Sequence, residues 1–115
     1  MRVGVIGVGH LGYHHARILR SLASEVTVFD AREARTAEVA SELGIAAASS
    51  ASELLSRVDA VVVASDTVTH HDVVMQALAA GCHTLVEKPI ASDSIQAARL
   101  ASEAERLGRV LAVGH

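Results

Sequence analysis

Lys88 is the only lysine in a chain that carries nine arginines, and its neighbour Pro89 is the only proline. A compact ammonium whose proton affinity responds to its surroundings suits contact with a reacting hydroxyl or carbonyl, where a guanidinium would not serve. Pro89 stiffens the backbone beside it and permits a cis bond that would aim the lysine. Glu87, on the other side, could pair with Lys88 or act as a structural acid at a strand end, and the second reading is preferred. The plain alternative for Lys88 is an ordinary surface lysine. Its expected place, at the C-terminal end of a parallel strand, favours chemistry, because ligands of open α/β sheets bind along that edge.

A second constellation opens the chain. Gly7-Val8-Gly9-His10-Leu11-Gly12 follows the β-branched run 2–6 and leads into a helical pattern. A second apolar run, Val26-Thr27-Val28-Phe29, ends in Asp30, 18 residues past Gly12. Strand, G-x-G-x-x-G, helix, strand and acid form the dinucleotide-binding fingerprint in its proper context. Gly7 supplies the turn, Gly9 leaves the main chain bare for a pyrophosphate, and Gly12 lets the helix approach the strand. The helix N-terminus, at His10, Leu11 and Gly12, offers N–H groups to the phosphates. Asp30 can accept a ribose diol and would repel a 2′-phosphate, so NAD is expected rather than NADP. Arg32, beyond Ala31, moderates that preference because it could pair with such a phosphate. An unrelated tight turn and a solvated strand-end acid are the alternatives to this reading.

Other candidates are weaker. Leu11, His15, Ile18, Leu19 and Leu22 share one stripe of the first helix, so His15 is expected to face the interior as a buried, hydrogen-bonded histidine. His10 and His14 have the i, i+4 spacing of metal ligands, but His10 belongs to the glycine loop and no third ligand is near in sequence. His70 and His71 are adjacent and point apart. No metal site is expected. Net charge is −3, there is no basic tract and only Tyr13 and Phe29 are aromatic, which argues against nucleic acid. No apolar run reaches the ~20 residues of a membrane span, and no leader is expected ahead of a first strand so closely joined to the glycine loop. The single cysteine, Cys82, suits a reducing cytoplasm.

Strands and helices alternate along the chain. Strands are expected near 2–6, 25–30, 45–48, 59–64, 83–87 and 109–113, and helices near 10–22, 32–43, 51–56, 69–80 and 92–107. Gly44, Gly81 and Gly108 stand where helices should stop, and Ser50-x-x-Glu53 has capping-box spacing. The pattern predicts a doubly wound parallel sheet, strand order 3-2-1-4-5-6, with an aliphatic core and helices on both faces.

The segments GVIGVGHLGYHHARIL, FD, HHDVVMQALAAGCHTLVEKPIA and VLAVGH together resemble the N-terminal half of the Gfo/Idh/MocA oxidoreductases. AAGCHTLVEKP is the most specific piece, similar to the family's AGKHVLVEKP block. The resemblance implies an NAD(P)-dependent dehydrogenase of a sugar, cyclitol or similar polyol, with Lys88 beside nicotinamide and substrate. It also implies family histidines at the positions of His15 and His70, the latter beside the cofactor. Two departures stand out. Ser65-Asp66-Thr67 lacks the proline usual after the fourth strand, which alters a loop bordering the cofactor. Cys82 replaces a lysine at a position expected on the surface, as a packed or idle thiol.

Family members continue beyond this segment into a second α/β domain that holds most of the substrate site. Residues 1–115 are therefore expected to be the dinucleotide-binding domain of a larger enzyme, binding cofactor without turnover by themselves. A stand-alone NAD(H)-sensing module and a non-binding structural domain are the alternatives. Apolar surface left near the ligand edge would allow self-association into a homo-oligomer.

Overall fold

The computed structural model describes residues 1–114; His115, which ends the VLAVGH segment, lies outside them. Six parallel strands run in the order β3-β2-β1-β4-β5-β6, as expected from the alternating pattern. They are β1 (Arg2–Ile6), β2 (Glu25–Phe29), β3 (Ala46–Ala47), β4 (Ala60–Val63), β5 (His83–Glu87) and β6 (Leu111–Gly114). Five helices connect them: α1 (His10–Leu19), α2 (Glu33–Leu43), α3 (Ala51–Arg57), α4 (Thr67–Ala79) and α5 (Ser94–Leu107). Order reverses between β1 and β4, which is where such sheets bind ligands.

Both faces of the sheet are buried, and strand alternation divides the core in two. Ile6, Val61, Val63 and Val86 pack with Leu54, Leu78 and Leu100 of α3, α4 and α5. Val5, Val28 and Val62 pack with Ala16, Val39 and Leu43 of α1 and α2. Register pairs Ile6 with Phe29 and Val63, and Val63 with Val86. The residues that follow these strand ends, Gly7, Asp30, Ala64 and Glu87, consequently form one row along the C-terminal edge.

The local stops behave as their residue types require. Gly44 and Gly108 take the left-handed conformation as helix C-caps, with φ of 66° and 65°, where a Cβ would be strained. The Ser50 side chain accepts the Glu53 N–H at 3.0 Å, while the Glu53 carboxylate takes the N–H of Ser49, not Ser50, so the box is displaced by one residue. β3 shrinks to two residues because only Thr27 and Val28 pair with it.

α1 departs from expectation in two ways. It ends at Leu19, with Ser21 N–H and Leu22 N–H turning back tightly to the carbonyls of Ile18 and Leu19. Its buried residues are Gly12 and Ala16, whereas Leu11, Ile18 and Leu22 are exposed. The small residues decide this. A Cβ at Gly12 would collide with the Gly7 carbonyl oxygen, so the helix sits on its Gly12–Ala16 side. Leu11 and Ile18, about 100° or more around the axis from that side, are turned outward, Leu19 still packs against the core, and His15 falls at the boundary, half-buried.

Candidate functional site

Gly7 holds φ +90° at the end of β1, and its N–H bonds the Phe29 carbonyl at 2.8 Å. A Cβ there would strike the backbone of Ala64 and Ser65, so glycine is required for conformation and for space alike. Gly9 is different. Among the described residues, its chain neighbours aside, only Arg32 Nη2, at 3.8 Å, comes within 4 Å of its would-be Cβ. It opens into a cleft of about 410 Å³, walled by Asp30, Ala31 and Arg32 on one side and by Ala64, Ser65, Asp66 and Thr69 on the other. The first backbone bond into α1 is Tyr13 N–H to the Gly9 carbonyl. The N–H groups of His10, Leu11 and Gly12 precede it and carry the helix's positive end. A larger cleft of about 570 Å³ lies across the Asp30–Ala31 backbone, between α2 and the start of α3, away from the glycine turn.

Asp30 is buried, at 8% exposure. Its carboxylate accepts the N–H of Val8 at 3.0 Å and of Arg32 at 2.9 Å. It also receives Arg32 Nε at 2.9 Å and Nη2 at 3.0 Å. The Arg32 guanidinium bonds, opposed by burial and aided by the two backbone N–H groups, lower its pKa to about 2. Four donors fill the four acceptor positions of a carboxylate. A ribose diol can bind only where the guanidinium moves aside, and that side chain is 65% exposed. Two residues that carried no sequence signal hold this corner. Thr36 Oγ1 accepts the Asp30 N–H and donates to the Asp30 carbonyl, both at 2.9 Å, and Arg35 Nε bonds the Val8 carbonyl at 2.7 Å.

Glu87, Lys88 and Pro89 stand further along the same edge, at the end of β5. The Lys88–Pro89 bond is cis. Lys88 is exposed and, among the described residues, its ammonium has no hydrogen-bond or ion-pair partner. Glu87 does not pair with it. The Glu87 carboxylate is bonded instead to His15 Nε2, across from α1. The outward turn of α1 brings His15 to this position, a tertiary contact between residues 72 apart with no local signature.

His70 is placed behind the cleft wall. It is 2% exposed, with Nε2 2.8 Å from the Ser65 carbonyl and Nδ1 2.8 Å from the Pro89 carbonyl. Its ring touches the backbone of two loops. Cys82 is also buried, correcting the expected surface position. Its thiol lies 3.7 and 3.6 Å from the carbonyls of Leu55 and Val58, and burial raises its pKa. The start of β5 passes under the end of α3, and a small apolar side chain fills the space. The His10 and His14 rings meet edge to face at 4.7 Å. Among the described residues no three metal-ligating side chains converge.

The glycine turn, the open helix end and the buried acid lie at the sheet's switch point, with the E-K-P segment two strands away. A family model described as "Oxidoreductase family, NAD-binding Rossmann fold" matches residues 1–115. The chain belongs to the Gfo/Idh/MocA oxidoreductase family. It is an NAD-binding Rossmann domain of that family. UDP-N-acetylglucosamine 3-dehydrogenase of Acidithiobacillus ferrooxidans is 45% identical over 115 residues, covering 100% of this chain and 37% of the relative. Its solved structure superposes with a TM-score of 0.97 at 45% identity, over 100% of this chain and 38% of that one. An inositol 2-dehydrogenase of Cereibacter sphaeroides is 37% identical over 96% of this chain and 35% of its own length. GenD2 from gentamicin A biosynthesis, solved in complex with NAD, gives a TM-score of 0.90 at 34% identity, over 99% of this chain and 34% of that one. The chain thus spans little more than a third of the relatives it matches. Among the described residues no helix is long and apolar enough to cross a membrane.

Proposed function

We propose that this chain binds NAD in preference to NADP and is the nucleotide-binding part of a dehydrogenase that oxidises a hydroxyl of a sugar or cyclitol. The observation that carries the reading is the bare backbone at Gly9, open to a cleft between a buried carboxylate and the β4 loop, at a free helix N-terminus. A methyl group at Gly9 would project into the space a pyrophosphate needs, so the residues present fit the dinucleotide.

The N–H groups of His10, Leu11 and Gly12 receive the pyrophosphate. Asp30 accepts the adenosine ribose hydroxyls once Arg32 swings outward, and Ala31, Arg32, Ser65 and Asp66 border the nucleoside. Asp30 is ionised across the neutral range and repels a 2′-phosphate, which sets NAD above NADP. Bound NAD supplies the hydride acceptor. Lys88 donates a hydrogen bond to the reacting oxygen and stabilises negative charge that develops there. Glu87 and Pro89 hold the lysine's backbone in place, and His70 backs the cofactor wall. The relatives' names point to ring hydroxyls as the substrate class. The remaining substrate contacts belong to the two-thirds of those relatives that this chain does not span, so the 115 residues alone bind without turnover. With its single buried thiol, the domain is assigned to a reducing cytoplasm.

Titration with NADH and separately with NADPH, followed by coenzyme fluorescence, tests this directly, since the chain has no tryptophan to interfere. Saturable binding that is tighter for NADH is expected. Absence of saturable binding, or preference for NADPH, refutes the cofactor assignment. Sustained dehydrogenase turnover by the chain alone refutes its dependence on further residues.

A further inference from the structure

Among the described residues Lys88 has no side-chain partner of its own, so its position is inherited from its neighbours. Glu87 is tied to α1 through His15. Pro89 meets His70 of α4 through its carbonyl, 2.8 Å from Nδ1, and the other ring nitrogen lies 2.8 Å from the Ser65 carbonyl. Ser65 in turn packs against Gly7, whose missing Cβ is what lets the two backbones meet. One buried ring therefore stands between the β4 loop, which walls the nucleotide cleft, and the β5 loop that carries Lys88. A neutral imidazole serves one carbonyl at a time and a cationic one serves both.

We propose that His70 is a positioning residue for Lys88, fixing the ammonium relative to the nucleotide cleft by tying the Pro89 carbonyl to α4, the helix that leads out of the Ser65 loop. The proposal rests on the reading of Lys88 as the residue at the reacting oxygen. His70 itself touches neither ligand. Its exposure of 2% leaves it behind the wall, and its contribution is geometric. Placement of a reacting group within a fraction of an ångström matters to rate, and the loop that holds Lys88 has no other side-chain bond to β4 among the described residues.

The sole lysine makes the test specific, because [15N]lysine labelling yields one backbone amide signal, that of Lys88. Two amide variants separate the two contacts of the ring. His70→Asn keeps a donor near Nδ1, toward Pro89, and His70→Gln keeps one near Nε2, toward Ser65. Val74→Ala, a fully buried neighbour on α4 outside the site, controls for general loosening. Amide relaxation is measured on the chain without nucleotide, with thermal melts alongside. The order parameter of the Lys88 amide is expected to fall from about 0.85 to below about 0.6 in His70→Gln, and to stay near its original value in His70→Asn and Val74→Ala. An unchanged Lys88 amide in His70→Gln overturns the proposal. So does an equal loss in Val74→Ala, which would make the effect generic. Adding NADH to the unmodified chain separates the two readings. A failure to shift the lysine signal counts against NAD binding, whereas the relaxation result without nucleotide still decides the role of His70.

Discussion

Replacing Asp30 by asparagine removes one charge and keeps the size, and its consequence for stability depends on pH. In the folded chain the carboxyl pKa falls from 3.8 to about 2, chiefly through the Arg32 guanidinium. At 1.36 kcal/mol per unit the shift corresponds to roughly 2.5 kcal/mol. Because the guanidinium is 65% exposed and partly screened by water, about 1.5–2 kcal/mol is the better figure. The folded value is the lower one, so this stabilisation is complete above the unfolded pKa and disappears as pH falls through the folded one. About half should be lost by pH 3 and most by pH 2. For a domain of this size that is a Tm difference of roughly 6–10 °C between the parent chain and Asp30→Asn near neutrality. Any further gap from the amide facing the donors of Val8 and Arg32 does not vary with pH. Circular-dichroism melts of both chains from pH 7 to pH 2 measure the difference, and comparing the pair cancels the other carboxylates. A Tm gap that stays constant down to pH 2 would refute the assignment of Asp30 as a charge held by Arg32.

The roles of Gly9 and Gly12 in the glycine loop separate under mutation. Gly9→Ala should leave the melt within about 0.5 kcal/mol of the parent, since Arg32 Nη2 at 3.8 Å is an ordinary contact with the end of a flexible side chain. It should weaken NADH binding at least about tenfold by filling the pyrophosphate's approach. Gly12→Ala should destabilise the chain by about 3 kcal/mol or more, because its Cβ collides with the Gly7 carbonyl; a normal melt would contradict that packing. Ser50→Ala removes the α3 cap and should cost about 1 kcal/mol in urea unfolding. Cys82 should resist alkylation in the folded chain and react readily in denaturant, which mass spectrometry can follow.

Local chemistry was enough to place most of the fold. Valine-rich runs buried on both faces, glycines that end helices, and a Ser-x-x-Glu start act within a few residues, so their consequences are legible in order along the chain. The demands on Gly7 and Gly12 were legible too, because a strand that turns straight into a helix leaves no space for side chains there. The position of Lys88 at a strand end followed from β/α alternation.

What the tertiary structure decided depends on residues far apart. The buried face of α1 was misread from its leucines because periodicity ranks faces by hydrophobicity, whereas close approach to Gly7 selected the small residues Gly12 and Ala16. That rotation brought His15 to Glu87, so a carboxylate expected to stand alone or meet Lys88 acquired a partner from another helix. Arg32 and Asp30 are neighbours in sequence, yet their bidentate pairing depends on the turn after β2, which the Thr36 hydroxyl holds. Cys82 and His70 entered the interior because α3 and the β5 loop close over them. Spacing along a chain determines which residues can lie on one edge of a sheet. Which side chains then satisfy one another depends on how helices rotate and loops close, and those are set by packing across the whole domain.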